Sequence, residues 1–292
     1  MGAFDWSKVQ TAEELITSRS FRFDVNFRPI LLEYMGIRAG MNILEVGCGP
    51  GTLAPYLGAG VYPGRVTGLD LDEQFIDLAR QRANQDQCRT VDYVVGDAYD
   101  LAFDDSEFDA TTSYAGIGVL SDPEKAVSEM IRVTRIGGSV SIMEPVTGID
   151  GILFEGLDSV PSQDTFEGAA DYHEMALRLR RTLGQHTRLF GSEKWPVRSF
   201  GALLKYLGLK EITINAWGYC GSPHDPEATA KRAMWLKRLL TEDGETVLKI
   251  TSLSKQEVLK FLALNGRRTE WQKHHDAFSW EAGISIVFTG IK

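Results

Sequence analysis

The sequence predicts an α/β fold: a mostly parallel sheet with helices on both faces. Three observations lead there. Apolar runs of strand length alternate with helical stretches between residues 42 and 144. Capping chemistry marks the helix ends, and a glycine-rich turn directly follows the first apolar run. A crossover through a helix returns the chain to the same end of the sheet, so strands separated in this way pair in parallel.

Each element has its own signal. Thr11-Ala12-Glu13-Glu14 is a capping-box pattern for a short helix over 11–19, and Arg28 to Ile37 reads as a second helix. Then come strand 42–47, helix 51–58, strand 65–70, helix 73–84, strands 91–96 and 108–113, helix 123–135 and strand 138–144. Asp122-Pro123 places an N-cap and a proline at the start of its helix, and Gly137-Gly138 is the expected stop. Beyond residue 145 the rhythm breaks, with a helix near 168–184. It resumes with helix 199–207, N-capped by Ser199 and stopped at Gly208, and strand 210–217. Asp225-Pro226 starts a further helix toward Leu240, and the capping box Ser254-Lys255-Gln256-Glu257 opens one that should end at Gly266. A strand over 285–291 closes the chain.

The organisation is thus N-terminal helices at 1–40, a core at 41–145, an insertion at 146–198, a core helix and strand at 199–221, a second insertion at 222–281 and a final strand at 282–292. Long insertions at the carboxyl ends of parallel strands border the ligand site, so both are expected to form a helical cap. Surface elaboration is the alternative.

At 292 residues with 43% apolar content the chain can bury a full core. Net charge is −9, unevenly spread: residues 1–150 carry 12 basic and 23 acidic side chains, residues 151–292 carry 19 and 17. An acidic core half argues against a nucleic-acid partner. Cys48, Cys88 and Cys220 form no paired pattern and no metal-ligand spacing, which suggests a reduced, cytoplasmic setting without a bound metal. No apolar run approaches the ~20 residues that span a bilayer, and the N-terminus lacks signal-peptide regions.

The glycine-rich turn is Glu45-Val46-Gly47-Cys48-Gly49-Pro50-Gly51, and Asp70 closes the next apolar run. Strand, glycine turn, helix, strand, acid is a nucleotide-binding layout. A dinucleotide fingerprint would place its third glycine at Thr52. The E-x-G-x-G-x-G form resembles instead motif I of class I S-adenosylmethionine methyltransferases, whose ligand has no pyrophosphate. Four further segments resemble that family in order. They are Val66-Thr67-Gly68-Leu69-Asp70-Leu71, Val95-Gly96-Asp97-Ala98, Phe108 to Tyr114, and Arg132-Val133-Thr134-Arg135-Ile136-Gly137-Gly138. The last resembles "R-V-L-K-P-G-G", with Ile136 in place of proline. Ahead of the core, Phe21-Arg22-Phe23-Asp24 resembles the "R-Y-D" element of ubiquinone/menaquinone C-methyltransferases and their type-11 relatives.

The resemblance implies a Rossmann-like, seven-stranded sheet whose last strand is antiparallel. It also implies S-adenosylmethionine as cofactor, released as S-adenosylhomocysteine. The cofactor-binding candidates are Arg22, Glu45, Gly47, Cys48, Gly49, Gly51, Asp70, Leu71, Asp97, Ala98, Ser113 and Tyr114. Asp70 would accept both ribose hydroxyls, Asp97 would meet the adenine amine beside the Ala98 backbone, and Arg22 would pair with the carboxylate. Glu45 would serve either the loop amides or the cofactor's amino group. Ser113 and Tyr114 end the strand facing the methyl donor. Turn and strand-capping roles are the plain alternatives, and a surface ion pair is the one for Arg22.

The position where many type-11 members carry a histidine falls near Gly118, so no catalytic residue is assigned. Other bases within the sequence are His173, His186, His224, His274, His275 and Glu144. The cluster Arg178, Arg180, Arg181 and Arg188 reads as a solvated helix face or an anion clamp. Trp217, Trp235, Trp271 and Trp280 read as core or as walls of an apolar pocket. The expected activity is methyl transfer to a small-molecule acceptor, with no membrane partner and no signature of oligomeric state. A binding module without catalysis and a methyltransferase acting on a macromolecule are the alternatives.

Overall fold

The structure, a computed structural model, describes residues 22–145, 194–221, 254–275 and 281–292, together with Ala12, Leu15, Ile16, Arg19, Glu167, Gly168, Ala170, Asp171, Glu174, Met175 and Ser192. The chain divides into two compact units. The larger comprises Arg19–Val146, Phe190–Tyr219 and Ala282–Lys292; the smaller comprises Met1–Ser18, Thr147–Leu189 and Cys220–Glu281.

One seven-stranded sheet is formed by β1 (Ile43–Val46), β2 (Val66–Asp70), β3 (Val91–Val95), β4 (Phe108–Tyr114), β5 (Thr134–Pro145), β6 (Lys210–Gly221) and β7 (Glu281–Ile291), in the order β3-β2-β1-β4-β5-β7-β6. The pairs β1–β2, β1–β4, β2–β3 and β4–β5 are parallel, and β7 runs antiparallel to β5. The expected mostly parallel sheet with a reversed last strand is thus what forms. Chain order reverses direction across the sheet between β1 and β4. That reversal leaves a crevice beyond their carboxyl ends, the place where open α/β sheets bind ligands.

The pleat of β1 feeds two cores. Ile43 packs in one with Leu31, Met35, Leu57, Ile76 and Tyr93; Leu44 and Val46 pack in the other with Val127, Met130, Ile142, Phe200 and Phe288. Helices α1 (Arg28–Tyr34), α2 (Ala54–Val61) and α3 (Glu73–Gln85) therefore cover one face, and α4 (Pro123–Val133) and α5 (Phe200–Tyr206) the other. Asp72 caps α3 through the amides of Gln74 and Phe75, and Asp122 caps α4 through that of Lys125.

Strands β6 and β7 are longer than expected, running to Gly221 and from Glu281, and three helix boundaries also differ. Helix α2 starts at Ala54 rather than residue 51, because residues 47–53 form the turn. Helix α4 stops at Val133, before the glycines, and β5 begins at Thr134. Thr134 Oγ1 donates to the Met130 carbonyl at 2.6 Å, closing the helix, while the glycines fall where the β4–β5 register shifts. Helix α6 (Lys255–His275) passes through Gly266. Its capping box forms as expected: Ser254 Oγ accepts the Glu257 amide, and Glu257 Oε2 accepts the Ser254 amide. An interior glycine costs about 1 kcal/mol, which a helix of this length absorbs. In the smaller unit, exposed ion pairs join α6 to its neighbours through Lys260–Asp171 and Arg267–Glu167. The residues described within 11–19 (Ala12, Leu15, Ile16, Arg19) and near 168–184 (Ala170, Asp171, Glu174, Met175) are helical, whereas the helix from Asp225 lies outside the described residues.

Arg132, from the last resembling segment, has a structural task. Its guanidinium donates to the carbonyls of Leu101 and Phe103 and pairs with Asp105 and Glu129. It thereby ties the loop after β3 onto α4.

Candidate active site

The turn after β1 is shaped by its own hydrogen bonds. The Gly47 and Cys48 amides both donate to the Leu69 carbonyl, at 2.7 and 3.0 Å, and the Gly51 amide donates to the Cys48 carbonyl at 3.2 Å. The Gly49 amide donates to Asp70 Oδ2 at 2.8 Å, while Oδ1 accepts the Asp72 amide at 3.0 Å. Each carboxylate oxygen of Asp70 keeps a further lone pair for a ligand. Burial raises the Asp70 pKa, against the pull of these amides.

Two glycines here cannot be exchanged freely. Gly51, at φ +74°, lies so near Tyr93 that an added Cβ would sit 2.5 Å from its hydroxyl oxygen. Gly49, at φ +53°, has open space where a Cβ would project, above the carboxyl end of β1.

Glu45 lies beneath this turn, 1% exposed, and its Oε2 has no hydrogen-bond partner among the described residues. Burial, reinforced by the Asp70 charge, pushes its pKa up to about 8, although Arg19 and the Ala54 amide pull it down. Ser113, at the end of β4, is also fully buried, and its Oγ is likewise unpartnered among those residues. Cys48 turns into the core, and burial raises its thiol well above the ordinary value, so it is no nucleophile.

The N-terminal segment reaches the same end of the sheet. Arg22 Nη1 donates to the Tyr114 hydroxyl at 2.7 Å, and the Arg22 carbonyl accepts Trp217 Nε1 at 2.9 Å. Phe23, where the resembling element has tyrosine, packs edge-on to Tyr114 with ring centroids 5.0 Å apart. Trp217 is thereby a packing residue. Arg19 lies over the Tyr114 ring at 5.6 Å; burial lowers its pKa, while Tyr114, Glu144 and Asp70 act in the opposite sense. Arg19 belongs to no motif, and only the fold brings it here.

On the other flank, Leu71 follows β2 and Val95 ends β3, both with their apolar side chains exposed. Asp97 is exposed and accepts the Tyr99 amide at 2.8 Å, with Ala98 half-buried beside it. Beyond β4, Glu144 is 4% exposed and its Oε1 accepts the Gly118 amide at 2.7 Å. Burial moves its pKa up to about 7, with the Gly118 amide and Arg19 opposing. His173, His186, His224 and Arg178, Arg180, Arg181 and Arg188 lie outside the described residues, as do Trp235 and Trp280; His274, His275 and Trp271 lie on α6. Among the described residues no group of acids, cysteines and histidines could hold a metal ion, and no helix is long and apolar enough to cross a membrane.

Residues 44–142 match the family model described as "Methyltransferase domain". Demethylmenaquinone methyltransferase of Listeria welshimeri is 29% identical over 126 residues, 43% of this chain and 53% of that protein. The chain spans about half the length, or less, of the curated relatives it matches. A SAM-dependent methyltransferase from Aquifex aeolicus superposes with TM-score 0.50 at 22% identity, covering 73% of this chain and 91% of that one. Phosphoethanolamine N-methyltransferase 2 of Haemonchus contortus gives 0.55 at 19% identity, covering 98% and 59%, and shows the shared fold. Strand order and the matched segment agree: residues 44–142 carry a methyltransferase domain, built on the fold of the S-adenosylmethionine-dependent methyltransferases.

Proposed function

We propose that this protein transfers the methyl group of S-adenosylmethionine to a small-molecule acceptor. The observation that carries this is where the turn's amides go. Those of Gly47, Cys48, Gly49 and Gly51 are all taken by the protein itself, and Ala54 at the start of α2 faces Glu45. A pyrophosphate therefore finds no free donors at these positions and an acid in its place, unlike in a dinucleotide site. The same groups fit a nucleoside joined to an amino acid. Asp70 offers spare lone pairs to two ribose hydroxyls, and the exposed Leu71 and Val95, with Asp97 and Ala98, offer an apolar and polar edge to adenine. Open space at Gly49 admits the ligand chain, Glu45 Oε2 and Ser113 Oγ await donors and acceptors, and Arg22 and Arg19 supply the counter-charge for a carboxylate beside Tyr114. Cys48 contributes its small size and its backbone.

Bound there, S-adenosylmethionine supplies an activated methyl group. The residues hold it and align an acceptor, and alignment alone can remove most of the barrier. The matched relatives named for demethylmenaquinone support a small acceptor. Both ends of the first insertion also lie by this site. It leaves β5 just after Glu144, and it returns where Trp195 and Lys194 bond Glu124 and where Val197 approaches Gly118. Cys48 and Cys88, free among the described residues, support a cytoplasmic location.

The direct test is isothermal calorimetry with S-adenosylhomocysteine, followed by turnover with candidate acceptors. Binding without turnover would favour a non-catalytic module, and absence of binding would remove the reading. The same measurement tests Glu45. Free Glu45, with a pKa near 8, is mostly protonated at pH 7, and a bound ammonium favours its carboxylate. Its pKa then falls, so binding releases up to one proton, and affinity rises with pH until about 8. Titrations in buffers of unequal ionisation heat should report that proton, and Glu45→Gln should abolish it. Equal proton release in the variant would exclude Glu45.

A further inference from the structure

We propose that Glu144 is the carboxylate that faces the methyl acceptor and takes its proton, and that the acceptor is accordingly an amine or hydroxyl compound. This rests on the methyltransfer reading and names the acceptor class of that site. Glu144 is 4% exposed, and one of its oxygens is held by the Gly118 amide at 2.7 Å. Among the described residues it makes no ion pair, although Arg19 is near enough to lower its pKa. An unpaired carboxylate buried this far costs several kcal/mol, a cost that a hydrogen-bonding or cationic partner would offset.

Its placement follows from the ends of three adjacent strands. Gly47 after β1 lies against Gly116, where an added Cβ would come 3.4 Å from the Gly116 Cα. Gly118, in the short 3-10 turn after β4, binds Glu144 on β5. The carboxylate is thus two strands away from the motif turn, on the side opposite Asp70 and β3. A ligand seated over Asp70 and Gly49 has its nucleoside on the β2–β3 flank, so its reactive end is directed toward β4 and β5.

Gly118 and Glu144 also occupy one space between them. A Cβ on residue 118 would lie 2.8 Å from Glu144 Oε2 and 2.9 Å from Val197 Cγ2. A side chain at 118, such as the histidine of many type-11 relatives, and the present Glu144 rotamer exclude one another. The chain carries the acid-base group on β5 instead of on the turn.

In the reaction, a lone pair on the acceptor's N or O forms the bond to the methyl carbon. The S–CH3 electron pair stays on sulfur, giving the neutral thioether. The N–H or O–H proton passes to a Glu144 oxygen and from there to water. Arg19 is the charged group facing Glu144 among the described residues, with the Ile117 and Gly118 amides as its donors.

Sinefungin tests this without a known acceptor. In this analogue a carbon bearing a primary amine replaces the methylsulfonium, so its ammonium projects where the methyl group would. Calorimetry on the full chain should show sinefungin binding about tenfold or more tightly than S-adenosylhomocysteine, the preference expected of a charge-assisted hydrogen bond. Glu144→Gln, which can still accept the Gly118 amide, should lose that preference while keeping S-adenosylhomocysteine affinity. The wild-type preference should shrink as pH falls below about 7, where Glu144 is protonated. A variant that keeps the preference, or a wild type that has none, overturns the assignment. If neither ligand binds the wild type, the cofactor reading itself fails.

Discussion

Asp70→Ala should weaken binding of S-adenosylhomocysteine by at least the ~1–3 kcal/mol of lost charged hydrogen bonds, a factor of about 5 to 160. The structure points to the upper end. The same carboxylate accepts the Gly49 and Asp72 amides, so its removal frees the turn as well as the proposed ribose contact. Asp70→Asn separates the two contributions. An amide oxygen can still accept one backbone amide, but its nitrogen cannot accept a hydroxyl or a second amide. The asparagine variant should therefore lie between wild type and the alanine variant in calorimetry. Wild-type affinity in the alanine variant, with an unchanged circular dichroism spectrum, would remove Asp70 from the site.

Gly49→Val should abolish detectable cofactor binding while leaving the sheet folded. Residue 49 holds φ +53°, which a β-branched residue adopts at a cost of about 1–3 kcal/mol. No neighbour lies within 4 Å of the added Cβ, so the valine would project into the ligand's path without disrupting the core. In a domain of this size each kcal/mol lowers Tm by roughly 2–4 °C, so scanning calorimetry should show a modest loss. Gly49→Ala should incur most of the strain and less of the obstruction. A valine variant that binds S-adenosylhomocysteine like wild type would place the ligand elsewhere.

Much of the sheet could be read from the sequence because its signals are local. Ile43 and Leu44 alternate between two cores, Asp122-Pro123 caps α4, and the Ser254–Glu257 box caps α6. Glycine was the misleading letter. Gly137 and Gly138 read as a helix stop, yet Thr134 ends α4 by bonding back to Met130. Gly266 read as another stop, and α6 runs through it. The site divides in the same way. Glu45, Gly49 and Asp70 belong to spaced motifs, so their convergence was legible. Arg19 over Tyr114, and Glu144 on the Gly118 amide, join residues distant in sequence through contacts that no periodicity encodes. Gly118 could be recognised as a missing histidine, but the carboxylate that fills its space appears only once β4 and β5 are side by side.

The self-contained bonding of the turn after β1 has a thermodynamic consequence. Its amides are satisfied by Leu69, Cys48 and Asp70 before any ligand arrives. Ligand capture therefore does not have to order this backbone, and the ordering entropy has already been met in folding the sheet. Binding at this turn therefore starts from a backbone that folding has already fixed.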